Sequence, residues 1–180
     1  MDVKNLMLFK IIVAGLFLSA LSQTIIADSS NTVIDATRLL AASNETDNWL
    51  SYGRDYTNQN FSPLKQINAT TVKRLVPKWI FQTGKTGSFQ TQPLVADGVM
   101  YATIPGNDVV ALDAENGNVL WRYKHNNRKE KNKAGPANRG AALGYGKVFE
   151  ATNDGRLIAL DQTSGKIIWD KIIARPTDAE

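Results

Sequence analysis

Three side chains in this sequence invite a chemical interpretation. His125 is the single histidine, and Asp113 and Asp161 recur in matching contexts. Histidine and carboxylate side chains are the usual general acid–base groups and metal ligands. No histidine or glutamate stands near His125 at the spacing of a metal site, so we predict that it is a surface residue. We predict that each aspartate begins a tight turn by accepting hydrogen bonds from backbone N–H groups.

A basic segment surrounds the histidine, with the sequence "RYKHNNRKEKNKAG" at 122–135. Such a run is compatible with nucleic acid or an acidic partner. Asparagines and Glu130 interrupt it, and strand-like segments stand on both sides. These features favour a solvated loop between two structural units and no nucleic acid.

Several kinds of site are excluded by the composition. The 180 residues include no cysteine, so disulfides, thiolate metal sites and cysteine nucleophiles are impossible. There is no glycine-rich phosphate loop, nucleophile elbow or zinc motif, and "GYG" at 144–146 is typical of a hairpin turn. The 43% hydrophobic and 21% charged residues indicate a globular domain, and a net charge of +4 says little about partners.

A repeat organises the second half of the chain. "ALDAENGNVLW" at 111–121 aligns without a gap onto "ALDQTSGKIIW" at 159–169, and the same offset places Gly98 opposite Gly146. A period of about 40–50 residues with four short strands per unit is typical of propeller blades. Within each unit, alanine permits close packing, glycine closes a hairpin with a left-handed conformation, and tryptophan covers the neighbouring sheet.

Short apolar runs bounded by glycine turns predict further strands within 77–84, 93–104, 108–123, 141–161 and 165–173. Upstream, we predict a helical turn in 33–42 and a brief helix at 68–75 with Asn68 as its N-cap. Between them, 51–67 is predicted to be an ordered irregular loop, because its aromatic side chains must pack somewhere. The fold class is therefore all-β, a partial propeller of about two blades.

Residues 1–27 have the pattern of a secretory signal, in which a basic start precedes an apolar stretch at 6–21 and small residues. Cleavage is expected after Ser22 or, as a second option, after Ala27. An uncleaved membrane anchor is disfavoured, because the apolar run is shorter than the roughly 20 residues that span a bilayer and Lys10 interrupts it. We therefore expect a periplasmic protein with no stable membrane span, a polar lead at 28–47 and an incomplete propeller domain at 48–180.

The twice-repeated pattern A-L-D-x-x-x-G-x-x-x-W resembles the tryptophan-docking motif of quinoprotein alcohol dehydrogenases, exported enzymes that use pyrroloquinoline quinone (PQQ) in an eight-bladed propeller. Residues 48–79 resemble the opening segment of this family, 93–123 its first full blade, and 135–161 the segment that passes the cofactor. The methanol and ethanol dehydrogenases are the most similar branch. Asn116 and Ser164 depart from the threonine that the family usually has before the glycine.

The resemblance implies two cofactor-binding residues. Arg139, in "NRG" at 138–140, matches an arginine that contacts PQQ, and a guanidinium suits this tricarboxylate. Gln90 occupies the position of a polar residue, often glutamate, that also faces PQQ. Lys133 and Ala134 stand where many members have adjacent cysteines whose disulfide covers the PQQ plane, so other residues would cap the cofactor here.

The function implied is that of the amino-terminal part of a PQQ-dependent dehydrogenase, which oxidises primary alcohols in the periplasm and passes electrons to an acceptor such as a cytochrome c. The calcium or lanthanide ligands and the catalytic aspartate of the family lie downstream of the matched segment, and the chain ends at Glu180. We therefore predict no catalytic and no metal-binding residue in this chain, and no activity of the chain alone. The alternative is a non-catalytic propeller scaffold of an outer-membrane assembly complex. The opening segment and "GPANRG" favour the enzyme.

Overall fold

The computed structural model describes residues 33–126 and 138–174. The predicted signal peptide, most of the basic segment and the positions of Lys133 and Ala134 lie outside these residues. The elements are helix α1 (Ala36–Leu40), two 3-10 helices (Ala42–Asn44 and Val72–Arg74) and strands β1 (Leu94–Ala96), β2 (Val99–Ile104), β3 (Asp108–Asp113), β4 (Val119–Tyr123), β5 (Ala142–Gly144), β6 (Lys147–Ala151), β7 (Arg156–Asp161) and β8 (Ile167–Ile172). Within the described ranges, no helix is long and apolar enough to cross a membrane.

The strands form two four-stranded antiparallel sheets, in the order β1-β2-β3-β4 and β5-β6-β7-β8. Each strand of the second sheet begins the same number of residues after its counterpart in the first sheet, and this number is the period of the sequence repeat. The irregularities match as well, because the register shifts between Ala111 and Leu112 in one sheet and between Ala159 and Leu160 in the other. The predicted repeat of a four-stranded unit is confirmed.

Strand β3 is buried on both of its faces. Val109 and Ala111 belong to a core cluster that includes residues of the second sheet, among them Val148, Ile158 and Leu160. Val110 and Leu112 belong to a second cluster, which also contains Ile104 and is packed against Trp79 and Phe81. Because successive side chains of a strand point to opposite faces, a continuous apolar run serves both clusters. Ala111 and Ala159 are fully buried, as the repeat predicted.

Trp121 joins the two sheets by docking on the β7–β8 hairpin. Gly165 in this hairpin has φ +67, and a Cβ placed on it would lie 2.4 Å from Cε3 of the Trp121 ring. The indole Nε1 donates to the backbone oxygen of Gln162 at 3.0 Å. The glycine therefore has two functions: it adopts the left-handed conformation that closes the turn, and it leaves room for the indole.

Trp79 makes the same contact one unit earlier. A Cβ on Gly117 would lie 2.6 Å from the Trp79 ring, and the indole Nε1 donates to the backbone oxygen of Ala114 at 3.2 Å. The prediction of a strand at 77–84 is wrong, since the segment has no strand assigned and pairs with no strand of the described chain. Its apolar residues reflect packing on the first sheet, not membership of it.

Asp113 and Asp161 form turns, as predicted. Asp113 Oδ1 accepts from the backbone N–H of Glu115 at 2.8 Å and of Asn116 at 3.1 Å. Asp161 Oδ1 accepts from the hydroxyl of Ser164 at 2.7 Å and from its N–H at 2.8 Å. These bonds stabilise the charged form and lower the pKa of Asp161.

The loop at 51–67 is irregular, as predicted, but its aromatic residues do not pack as expected. Three of its aromatic side chains are exposed: Tyr52, Tyr56 and Phe61. Arg54 is buried instead, and its Nη2 donates to the backbone oxygens of Ser43 at 3.1 Å and Glu45 at 3.2 Å. A charged side chain is buried here because it satisfies carbonyl groups of the lead segment that would otherwise lack donors.

Asn68 caps a turn instead of a longer helix. Its Oδ1 accepts from the backbone N–H groups of Thr70 at 3.0 Å and Thr71 at 3.1 Å. The helix that follows is a single 3-10 turn, Val72–Arg74, whose N-cap is Thr71. The predicted helix at 68–75 is thus shorter, and its cap is Thr71 instead of Asn68.

An arginine clasp ties the lead segment to the first sheet. Arg38, at the middle of α1, bonds to Glu45 at 2.8 Å and to Asp97 in the β1–β2 turn at 2.6 Å. The ion pairs raise the pKa of Arg38 and lower that of Glu45. Trp49 and Val95 add two backbone hydrogen bonds, at 2.8 and 3.0 Å. The predicted helical turn in 33–42 is confirmed as α1.

Candidate cofactor-binding edge

The two predicted cofactor-binding residues lie on loops that lead into the first strands of the two sheets. Gln90 precedes β1 and Arg139 precedes β5. The loops touch, because the N–H of Gln92 donates to the backbone oxygen of Arg139 at 3.3 Å. A Cβ placed on Gly140 would lie 3.3 Å from the backbone oxygen of Gln92 at φ +129, so only glycine suits this approach. We call residues 90–92 and 138–140 the loop edge.

The side chains of the loop edge suit an anionic ligand. Arg139 is exposed, and its guanidinium can bind a carboxylate through two parallel hydrogen bonds. Gln90 is also exposed and donates from Nε2 to Ser88 Oγ at 3.3 Å. The structure brings the backbones of the two loops together, and the roles of Gln90 and Arg139 toward a cofactor stay predictions.

Asn138 anchors the turn that carries Arg139. This side chain is buried, and its Nδ2 donates to Glu150 Oε1 at 3.0 Å and to the backbone oxygen of Ala151 at 3.2 Å. Its Oδ1 accepts from the N–H of Gly140 at 3.0 Å. Asn138 therefore connects the turn at 138–140 to strand β6, which positions the backbone on both sides of Arg139.

Glu150 is a buried carboxyl group that the sequence interpretation missed. Burial raises its pKa to about 9, with further contributions from the nearby carboxylates of Asp108 and Asp154, so the group is protonated at neutral pH. Within 33–126 and 138–174, its Oε2 has no hydrogen-bond partner. The signal was present in the repeat, because the alignment places the carboxyl side chain of Glu150 opposite the apolar Ala102.

Asp108 forms a second buried carboxylate close to the boundary between the sheets. It is 1% exposed, and its Oδ2 accepts from Arg122 Nη2 at 3.1 Å and lies 3.6 Å from Lys85 Nζ. Its Oδ1 accepts from the backbone N–H of His125 at 3.0 Å. Paired cations and backbone donors offset the cost of burying this charge.

The prediction that His125 is a surface residue is wrong. Its side chain is 2% exposed, with Nδ1 3.1 Å from the hydroxyl of Tyr123 and Nε2 3.1 Å from Asp154 Oδ1. Asp154 lies in the β6–β7 turn of the second sheet, 29 residues further along the chain. No local spacing reveals this pair, since only the stacking of the two sheets brings it together.

The arrangement can hold an anion but shows no metal site. Within the two described ranges, no group of three or more histidine, aspartate and glutamate side chains is able to hold a metal ion. The exposed guanidinium of Arg139, on a turn anchored by a buried amide, fits the carboxylates of the tricarboxylate that the resemblance implies.

Comparison with known proteins identifies similar chains. The chain is 40% identical over 146 residues to quinohemoprotein alcohol dehydrogenase ADH IIB of Pseudomonas putida, a match that covers 79% of this chain and 21% of that protein. It is 38% identical over 126 residues to 1-butanol dehydrogenase (cytochrome c) of Thauera butanivorans, a match that covers 68% of this chain and 18% of that protein. The chain therefore spans about a fifth of the length of the curated relatives it matches.

Solved structures agree in fold. Quinohemoprotein alcohol dehydrogenase ADHIIG of Pseudomonas putida superposes with a TM-score of 0.72 at 36% identity, over 79% of this chain and 21% of that one. A europium-containing methanol dehydrogenase superposes with a TM-score of 0.72 at 32% identity, over 77% of this chain and 25% of that one. The family model described as PQQ, glucose/ethanol/alcohol dehydrogenase, beta-propeller domain, matches residues 49–170. The predicted all-β propeller fold is thereby confirmed, and the chain belongs to the family of PQQ glucose/ethanol/alcohol dehydrogenase β-propeller domains.

Proposed function

We propose that this chain forms the amino-terminal part of a PQQ-dependent dehydrogenase that oxidises small primary alcohols. The observation that carries the proposal is the loop edge, where the turn bearing Arg139 is hydrogen-bonded to the loop that follows Gln90. The relatives named as alcohol dehydrogenases support the reaction class. The comparisons do not favour the alternative of a non-catalytic outer-membrane scaffold.

The residues of the loop edge would bind and orient the cofactor. Arg139 would bind one of its carboxylates through the two N–H groups of the guanidinium fork. Gln90 would offer an amide donor or acceptor to a second polar group of the cofactor. PQQ, when bound, would supply the acceptor for the two electrons that leave an alcohol as it becomes an aldehyde.

The setting and the partners are part of the proposal. The predicted signal peptide at 1–27 supports a periplasmic location, and the relative named 1-butanol dehydrogenase (cytochrome c) supports a cytochrome c as electron acceptor. A calcium or lanthanide ion would be bound by family ligands outside the matched segment. The europium-containing methanol dehydrogenase supports a lanthanide as one of the two options.

Titration of the pure chain with PQQ, followed by tryptophan fluorescence, tests the binding role. We expect Arg139→Gln to weaken PQQ binding about tenfold, because it removes charge-assisted hydrogen bonds to a carboxylate. Arg74→Gln is the matched control, since Arg74 is also exposed and lies in the 3-10 helix Val72–Arg74. Equal affinities of the two variants would contradict the proposal for Arg139.

Activity of the 180-residue chain is a separate question. We propose that it does not oxidise alcohols by itself, because the resemblance places the metal ligands and the catalytic aspartate downstream of the matched residues. The assay is reduction of a dye by the pure chain after addition of PQQ, calcium and ethanol. Turnover above the rate of the free cofactor would refute this.

A further inference from the structure

We infer that Glu150 is a positioning residue for the turn that carries Arg139. Its Oε1 accepts from Nδ2 of Asn138, and the opposite end of the same amide accepts from the N–H of Gly140. A buried side chain of β6 thus acts through Asn138 on the conformation of the loop edge. The identity of the ligand rests on the proposed function; the positioning itself does not.

The hydrogen bonds allow only one orientation of the Asn138 amide. In the observed orientation, Nδ2 donates to Glu150 Oε1 at 3.0 Å and to the oxygen of Ala151 at 3.2 Å, and Oδ1 faces the N–H of Gly140 at 3.0 Å. Rotating the amide by half a turn would set Oδ1 against the carbonyl oxygen of Ala151 and Nδ2 against the N–H of Gly140. Because buried polar groups without partners are costly, the acceptors on β6 keep Oδ1 on the turn.

The repeat supplies an internal comparison for this contact. The alignment of the two units places Gln90 opposite Asn138 and Ala102 opposite Glu150. In the first unit, where the strand offers a methyl group, Gln90 is exposed and its amide contacts the nearby Ser88. In the second unit, where the strand offers a carboxyl group, Asn138 is buried and tied to the sheet. The burial of Asn138 accompanies this acceptor and a second, longer contact of its Nδ2 with Asn107 Oδ1 at 3.4 Å.

The contact requires an acceptor and not a charge. Two carboxylates, Asp108 and Asp154, contribute to the electrostatic environment of Glu150, and each is itself paired, with Arg122 and His125 respectively. A third negative charge in this buried group would be repelled by both. A neutral carboxyl oxygen satisfies Asn138 without that cost. An amide oxygen at position 150 would do the same, which makes glutamine the conservative replacement.

Hydrogen exchange of the Gly140 amide in the full 180-residue chain tests the inference. We expect Glu150→Leu to accelerate this exchange about fivefold relative to the amides of β3, because the amide that holds Gly140 loses one acceptor. Glu150→Gln should remain within about twofold of the native rate, since it retains the oxygen. Thr103→Val is the control for a buried polar-to-apolar change, because Thr103 Oγ1 has no partner within the described chain. This control substitution should leave the exchange rate of the Gly140 amide unchanged.

Three results would overturn the inference. The first is a native exchange rate of the Gly140 amide in a folded Glu150→Leu variant. The second is a Glu150→Gln variant that accelerates the exchange as much as Glu150→Leu does. The third applies if Glu150→Leu fails to fold: a native exchange rate of the Gly140 amide in the replacement variant Asn138→Ala. PQQ titration of the same variants separates the two proposals. Native PQQ affinity in Arg139→Gln would refute the proposed cofactor role of Arg139, and the exchange pattern would still decide the role of Glu150.

Discussion

The contact between Trp121 and Gly165 predicts that a methyl group added at Gly165 weakens the packing of the first sheet on the second. Gly165→Ala places a Cβ 2.4 Å from Cε3 and 2.6 Å from Cδ2 of the indole. The ring cannot move away freely, because its Nε1 is bonded to the backbone of Gln162 and the ring packs against Tyr101, with centroids 6.0 Å apart. The substitution must therefore displace either the indole or the turn.

The magnitude follows from a matched glycine in the same sheet. Gly146 has φ +69, close to the +67 of Gly165, and a Cβ there would meet nothing within 4 Å. Gly146→Ala thus carries the cost of a left-handed alanine alone, about 1–2 kcal/mol, reduced by the entropy that alanine removes from the unfolded chain. Gly165→Ala adds overpacking of about 1–3 kcal/mol. We expect it to lower the free energy of unfolding by about 2 kcal/mol more than Gly146→Ala does.

Urea unfolding of the 180-residue chain, followed by circular dichroism, measures this difference. With an m-value of about 2 kcal/mol per molar, the two midpoints should differ by about 1 M. In a Trp121→Leu background the gap between the two alanine variants should nearly vanish, because the clashing ring is absent. Equal effects of the two alanines in the native background, or a gap that survives in Trp121→Leu, would refute the reasoning.

Two further predictions concern titratable groups. Glu150 has a pKa of about 9 in the folded state and an ordinary pKa of 4.5 in the unfolded state, so between these values only the folded state keeps the proton. The free energy of unfolding should therefore fall by about 1.4 kcal/mol per pH unit as the pH rises through this range. Glu150→Gln should remove that slope. Urea midpoints of both proteins between about pH 5 and 8 measure it, and parallel profiles would contradict it. Arg38→Met should cost about 2 kcal/mol at neutral pH, since it breaks charge-assisted bonds to Glu45 and Asp97. The cost of the substitution should shrink as the pH falls below about 4.5. The pKa of Glu45 is lowered in the folded state, so its ion pair with Arg38 stabilises the fold above that pH and is lost when Glu45 is protonated. A cost that does not change with pH would show that the ion pairs do not stabilise the fold.

The repeated unit could be predicted from the sequence because its determinants are local. A glycine closes each hairpin in the left-handed conformation, an aspartate accepts hydrogen bonds from the next few N–H groups, and alternating apolar residues define the strands. These contacts join residues that are near neighbours in the chain, as in the turn from Asp161 to Gly165. The same reasoning failed for 77–84, whose apolar residues pack on a sheet without entering it.

The sequence by itself determined the strands of the repeated unit, the period of the repeat, the turn residues and the resemblance that points to Arg139 and Gln90. Only the tertiary structure decided which polar groups are buried and what they contact. His125 meets Asp154 over 29 residues, and Glu150 meets Asn138 over 12, across segments whose separation in the chain carries no sign of the contact. The physical reason is that burial and pairing of a polar group depend on which surfaces the stacked sheets bring together, a property of the whole fold that no short window of residues contains.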